Sequence, residues 1–288
     1  MVAIAVGTAQ FGLDYGIVNN EGKVAPSEVA AILDLAQEHG VQWLDTAAAY
    51  GDAEAVIADM PITPDFRICT KIGASGATRL SDLDRELDAS LARLRRSHAD
   101  ILLLHRPDAL QSAPAAVLAW AASKRESGRI GAFGVSLYRA GEVELALQPG
   151  IEWVQIPISI LSQEWIESGA LARLRDHGVK VQVRSLLAQG LLTADPEALP
   201  PALEGLGASL SKVCEAAAEN GVSPVELAFA FASRLQVELL VLGTQSRLQF
   251  AECLEALQRR VDLDWGRFAG KAELLDPRTW PAGLRIAK

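Results

Sequence analysis

Eight short apolar runs, each followed by polar or glycine-containing residues and then by a longer stretch of helical period, constrain this chain more than any other feature. The strands they predict lie at residues 2–7, 42–46, 67–71, 100–105, 130–136, 153–156, 179–184 and 238–243. The stretches between them carry helix start and stop signals. Residues 26–40 open on Pro26 and Ser27, close on Gly40 and hold Val29, Ile32, Leu33 and Ala36 on one face. Residues 80–95 align Leu83, Leu87, Leu91 and Leu94 behind Ser81 or Asp82 as N-cap. Residues 113–128 and 164–178 each read as a further helix. Eight strands alternating with helices over 288 residues are what a single (β/α)8 TIM barrel domain spanning 1–288 requires. The open doubly wound sheet is the alternative; it usually carries G-x-G-x-x-G after its first strand, and G-T-A-Q-F-G at 7–12 is not that fingerprint.

Two longer intervals, 186–207 and the C-terminal tail at 265–283, interrupt the rhythm and are candidates for loops that shape a substrate pocket. The net charge of -9 argues against a nucleic-acid partner, because counterion release needs clustered Lys and Arg. The one basic run, Arg93, Arg95 and Arg96, is offset by Asp82, Asp84, Glu86 and Asp88 and reads as a solvated helix face. Cys69, Cys214 and Cys253 lack C-x-x-C spacing, so neither a disulfide framework nor a metal site is expected, and a reducing cytoplasm fits. No run reaches the ~18 apolar residues of a membrane span, and residues 2–7 lack a basic leader, so no membrane partner is expected.

In a barrel of this kind chemistry sits past the C-terminal strand ends. Strand two ends at Asp45 and Thr46 with Tyr50 just beyond, strand three at Lys71, strand four at His105, strand five at Ser136, and strand seven at Arg184 and Ser185. Each alone has an ordinary structural reading: a cap, a packing phenol, a solvated strand end, a core histidine. Together they are harder to dismiss, since the chain has three tyrosines and four histidines and the other histidines fall in helix ends or a polar turn. A lysine beside a phenol favours the phenolate, and a carboxylate keeps that lysine charged. Tyr50 could then protonate a carbonyl oxygen while a neutral His105 hydrogen-bonds it as negative charge develops. No base-activated nucleophile or metal cluster accompanies them, so the set points to carbonyl reduction by an external hydride source.

Along nearly its whole length the sequence resembles the aldo-keto reductase family of bacterial type. L-D-T-A-A-A-Y-G-D-A-E at 44–54 resembles the family's L-D-T-A-x-x-Y-G-x-S-E signature, I-C-T-K its catalytic-lysine strand and L-L-L-H-R-P-D its catalytic-histidine strand. G-T-A-Q-F-G-L-D-Y-G-I, F-G-V-S, W-V-Q-I-P, L-A-Q-G-L-L-T and V-L-G-T-Q-S-R-L-Q-F-A-E-C-L match further family blocks in order. The resemblance implies a catalytic tetrad of Asp45, Tyr50, Lys71 and His105, with Tyr50 as general acid. It implies NADPH, with NADH possible, as cofactor. Ser136 and Gln155 would hold the nicotinamide carboxamide, and Thr8, Gln10 and Asp45 would lie near that end. Arg184, Ser185, Leu187, Gln189 and Leu191 would run along the nicotinamide and pyrophosphate. Gly243, Thr244, Ser246, Arg247, Gln249 and Glu252 would surround the adenosine and its 2′-phosphate. Phe11, Tyr50, His105 and Arg106 would face the substrate.

The departures from the family pattern are specific. Leu137 replaces the usual Asn after G-V-S, Arg184 an aromatic that stacks on the nicotinamide, Gln249 a basic residue and Cys253 an Asn. Arg247 is the only cation of the phosphate block, so the NADPH preference rests on it. With the first predicted strand at residues 2–7, the N-terminal hairpin that plugs the barrel floor in the family is not expected ahead of it. Rim aromatics are Phe11, Tyr15, Tyr138, Trp165, Trp265 and Trp280, joined by Asp108, Gln163 and Glu164. That mixture favours a small polar carbonyl such as a sugar over a bulky apolar one. A monomer or weak homo-oligomer is expected. The rivals are a nicotinamide-dependent sugar dehydratase or epimerase, and a nicotinamide-sensing regulatory subunit with little turnover.

Overall fold

A computed structural model describes residues 2–74 and 79–286 of the chain. Its eight strands, β1 (Ala3–Gly7), β2 (Trp43–Asp45), β3 (Arg67–Ile72), β4 (Ala99–Leu104), β5 (Ile130–Ser136), β6 (Trp153–Pro157), β7 (Lys180–Arg184) and β8 (Leu239–Gly243), are all parallel. Each pairs with its sequence neighbours and β8 returns to β1, closing a (β/α)8 barrel. Side-chain alternation along each strand then divides the core in two. Ala5, Trp43, Cys69, Leu103, Trp153 and Val241 fill the lumen, while neighbours such as Val6, Leu44, Ile68, Leu102, Val154 and Leu242 pack outward against the helices. No helix among the described residues is long and apolar enough to cross a membrane.

The helices follow from the apolar stripes, with local corrections. Pro26–Glu38 starts on its proline and ends where Gly40 takes a φ of +68°. Leu80–Leu94 buries Leu83, Leu87, Leu91 and Leu94, yet its N-cap is Arg79, two residues before Ser81 and three before Asp82, the expected caps. Asp82 instead sits in the first turn, where the helix dipole favours a carboxylate, and pairs with Arg79 and Arg85. The helix expected over 164–178 is two, Glu164–Glu167 and Ala170–Asp176, separated by Gly169 at φ +75°. Residues 186–207 form short 3₁₀ turns that lead into the helix Gly207–Glu219.

The basic run is only in part a solvated face: Arg95 is exposed, while Arg93 and Arg96 are half-buried. Arg93 pairs with Oε2 of the buried Glu54 at 2.7 Å, Arg95 with Asp59 at 2.6 Å, and Arg96 donates to the carbonyls of Thr63 and Phe66. The three arginines fasten Leu80–Leu94 to the segment that follows β2.

Candidate active site

Alternation puts Asp45, Lys71, Gln155 and Arg184 in the lumen at or near their strand ends, with His105 one residue past β4. Lys71 and Asp45 are almost completely buried, and the ammonium Nζ donates to Asp45 Oδ2 at 2.7 Å and to the Thr46 carbonyl at 2.9 Å. Gln155 Nε2 donates to Asp45 Oδ1 at 2.7 Å and to Gln182 Oε1 at 2.9 Å. Gln182 in turn meets the Cys69 thiol. Two buried charges are tolerable because each faces the other and further hydrogen bonds, from Gln155 to Asp45 and from Lys71 to the Thr46 carbonyl, support the pair.

Backbone contact sets the position of Tyr50. A side-chain carbon at Gly12 would collide with the Tyr50 carbonyl, and one at Gly51, whose φ is +57°, with the Gly12 carbonyl. The loops after β1 and β2 therefore interlock only with glycine at both places. Buried Glu54 pins the same segment from beneath, accepting from Thr70 Oγ1, Ser90 Oγ and Arg93. The Tyr50 ring meets His105 edge-on at 5.8 Å between centroids, and Lys71 Nζ lies 5.0 Å from the Tyr50 ring centre.

These surroundings set the protonation states. Burial pushes the Tyr50 phenol above its ordinary value; Lys71 pulls it down and Asp45 raises it further. The lowering expected from Lys71 does not prevail, because Asp45 neutralises that ammonium and desolvation disfavours the phenolate. Burial alone would lower Lys71, but Asp45 and then Tyr50 hold it above the lysine range. His105 falls to about 3 through burial and the positive charges of Lys71, Arg184 and Arg106, so its imidazole is neutral at physiological pH. Its Nδ1 is buried without a partner. Burial and then Asp45 push the Cys69 thiol up and keep it protonated.

From Tyr50 a cleft of about 370 Å³ runs past the end of β8 to Glu252. Of the candidates, Thr8, Gln10, Asp45, Tyr50, Arg184, Ser185, Leu187, Gln189, Gly243, Thr244, Gln249 and Glu252 line it. Asn19 and Gln245, which the sequence did not single out, line it too. Gln10 Oε1 and Gln245 Nε2 are buried polar atoms without partners, suited to a ligand with many polar groups. The segment after β7 is strained, with Ser185, Ala188 and Gln189 at φ of +62°, +47° and +58°, a conformation costing about 1–3 kcal/mol per residue.

Other candidates stand elsewhere. Phe11 and Trp165 are buried in the shell between barrel and helices. Leu191 is buried there as well, turned inward by the reversal at Gln189 and Gly190. Ser136 is buried at the end of β5, and the Gln155 amide is committed to Asp45 and Gln182, so neither lines the cleft. Ser246 caps its helix by accepting from the Gln249 N–H. Arg247 projects to the surface towards Glu38, and its backbone N–H donates to Glu28 Oε1 at 2.6 Å. Arg106 is paired with Asp108 outside the cleft.

The C-terminal tail crosses the rim. Gln163 Nε2 donates to the Trp265 carbonyl, Gly270 N–H to the Leu161 carbonyl, and Ile286 N–H to the Ile17 carbonyl at 2.7 Å. In between, Arg278 and Arg184 both contact the Tyr138 ring, 3.8 and 4.1 Å from its centre.

Comparison with known proteins agrees with this architecture. The model of the Aldo/keto reductase family matches residues 3–267. The 6-dehydroglucose reductase of Agrobacterium fabrum is 28% identical over 274 residues, covering 86% of this chain and 89% of that one. The enzyme of the same name from Novosphingobium aromaticivorans is 28% identical over 262 residues, covering 83% and 84%. The solved aldo-keto reductase AKR11C1 from Bacillus halodurans, in its holo form, superposes with a TM-score of 0.75 at 19% identity, covering 98% and 94%.

Proposed function

The chain belongs to the aldo/keto reductase family, and on that premise we propose that it reduces an aldehyde or ketone to an alcohol, with Tyr50 as proton donor and a nicotinamide dinucleotide as hydride source. The observation that carries this reading is the sealed Lys71–Asp45 pair beside a protonated Tyr50 and a neutral His105. When bound, the dinucleotide supplies a hydride to the carbonyl carbon. His105 hydrogen-bonds the carbonyl oxygen and stabilises it as it becomes negative. Tyr50, kept protonated by burial, gives its proton to that oxygen. The phenolate left behind faces the Lys71 ammonium, whose charge and position Asp45 holds.

The cleft residues fit a dinucleotide along its length. Thr8, Gln10 and Asp45 serve the nicotinamide end, Ser185, Leu187 and Gln189 the pyrophosphate, and Gly243, Thr244, Gln245, Gln249 and Glu252 the adenosine. NADPH is the dinucleotide suggested by the family, but the cation meant for its 2′-phosphate, Arg247, projects away, and Glu28 occupies the N–H beside it. We therefore expect NADH to be accepted alongside NADPH. The mixed polar rim and the sugar-derived substrate named for two relatives favour a small polar carbonyl.

A dinucleotide-depletion screen across aldehydes, ketones and aldoses, run with Tyr50→Phe in parallel, tests the reading. Turnover in the parent and its loss in the variant are expected. A variant as active as the parent removes Tyr50 as the donor, and dinucleotide binding without any turnover would favour a sensing role.

A further inference from the structure

Arg184 is the only cation among the residues lining the cleft. It ends β7 with its side chain in the lumen and lies within electrostatic reach of Tyr15, Tyr50 and His105, the reacting end of the site. None of the ion pairs among the described residues includes it. Its N–H edge makes only two long contacts, to Ser185 Oγ and the Leu137 carbonyl, both at 3.4 Å. The other barrel-mouth cations are matched: Lys71 by Asp45, Arg106 by Asp108, Arg139 by Glu164 and Arg278 by Asp276.

The guanidinium is also held in place. It stacks on Tyr138 at 4.1 Å, and Arg278, gripped by both carboxylate oxygens of Asp276, contacts the same ring at 3.8 Å. Of the two cations on the ring only Arg278 has a carboxylate partner, so the positive charge of Arg184, the one facing the cleft, is left over. A guanidinium with one face stacked and its fork of N–H donors engaged only by two long contacts is arranged for bidentate pairing with a carboxylate or phosphoryl group. The pyrophosphate is a poorer match, since the residues proposed for it, Ser185, Leu187 and Gln189, follow Arg184 in the segment after β7, whereas Arg184 itself reaches Tyr50 and His105.

Resting on the reductase reading above, we infer that the carbonyl substrate bears an anionic group, carboxylate or phosphoryl, that pairs with Arg184 while its carbonyl lies between Tyr50 and His105. Charge, stacking and position thereby select acidic aldehydes or ketones over neutral analogues.

The test pairs compounds that differ in charge: succinic semialdehyde against butanal, and glucuronate and a phosphorylated aldose against glucose. For the parent enzyme kcat/KM should favour the anionic member by about tenfold or more, the range of a charge-assisted hydrogen-bonded pair. Arg184→Gln should abolish that preference and Arg184→Lys should restore part of it. The two anionic sugars separate a carboxylate from a phosphoryl partner. Calorimetric binding of the same pairs to the dinucleotide-loaded protein reads the preference without turnover. Anion preference in binding with no reduction would sink the reductase reading and leave the Arg184 assignment standing. Equal handling of charged and neutral members by the parent overturns it. So does an Arg184→Gln variant that loses dinucleotide affinity, by fluorescence titration, while keeping the anionic preference.

Discussion

The two ends of the barrel lumen are built from the same strands and the same alternation, yet they do opposite things with charge. At the floor, Trp43 and Trp153 lie 6.4 Å apart, capped by Arg67 at 4.2 Å and Lys180 at 5.4 Å, with the cations outside the rings and next to water. At the rim, Lys71 and Asp45 are sealed inside, and Gln155 and Gln182 complete their hydrogen bonds. Charge that stays hydrated stabilises the floor cheaply through ring contact. Charge taken out of water at the rim costs folding energy and gives protonation states that solution would not hold. The floor is a packing layer and the rim one of buried charge.

The strongest way to break this contrast is Asp45→Ala, which strands the Lys71 ammonium in the lumen. Unfolding by urea should show a loss of about 3–5 kcal/mol, partly recovered when Lys71→Met is added; an unchanged midpoint would mean the pair is not sealed. Tyr50→Phe should leave the unfolding midpoint nearly unmoved while lowering kcat/KM by about 10²–10⁴-fold, the usual worth of a positioned acid. At the other end, Trp43→Ala should cost about 3 kcal/mol of stability and leave kcat/KM within about twofold. A large fall in its turnover would show that the two ends are coupled.

The next effect sharpens the rim itself. His105 is held neutral in the folded protein, with a pKa of about 3, whereas unfolding restores the ordinary value near 6.5. Between those values the unfolded chain binds the extra proton, so stability falls as pH drops from about 6.5 towards 3 and this contribution is fully present above 6.5. The stability of the parent relative to His105→Gln, read from unfolding midpoints, should fall steadily as pH drops from 7 to 4; a difference that does not change with pH would contradict a buried neutral imidazole. The smallest change is expected from Arg247→Ala, whose side chain lies outside the cleft: the ratio of NADPH to NADH affinity should move less than about threefold, the scale of an exposed charge contact. A larger, selective loss of NADPH would mean that Arg247 swings in on binding.

What the sequence made legible tracks the kind of element that carries each residue. Strand residues could be placed by counting: a period of two sets Asp45, Lys71 and Arg184 facing the lumen, and the structure has them there. The same count places Gln182 two residues below Arg184 in the lumen, a signal that was present and unread. Loop and helix residues have no such rule. Phe11 and Leu191 turned into the outer core, and Arg247 to the surface, because chain reversals and a helix start decide where they point. The Glu28 contact with Arg247 spans 219 positions and leaves no trace in local pattern. The arginines after Leu91 misled for a related reason: their partners Glu54, Asp59 and the Thr63 carbonyl lie on another segment, so local charge balance described them poorly.

Glu54 has a consequence for anyone who moves this site onto another scaffold. Thr70 Oγ1, Ser90 Oγ and the Arg93 guanidinium all donate to it, and Thr70 is the neighbour of Lys71. A glutamine there could still satisfy the two hydroxyls with its N–H₂ and the guanidinium with its oxygen, but it would remove the negative charge that faces Arg93, so the most conservative exchange by shape is a poor one by charge. Grafts of the Tyr50 loop must therefore travel with Glu54, Thr70, Ser90 and Arg93 as one indivisible part, and libraries that randomise any of the four singly will mostly sample chains whose Tyr50 loop has lost its footing.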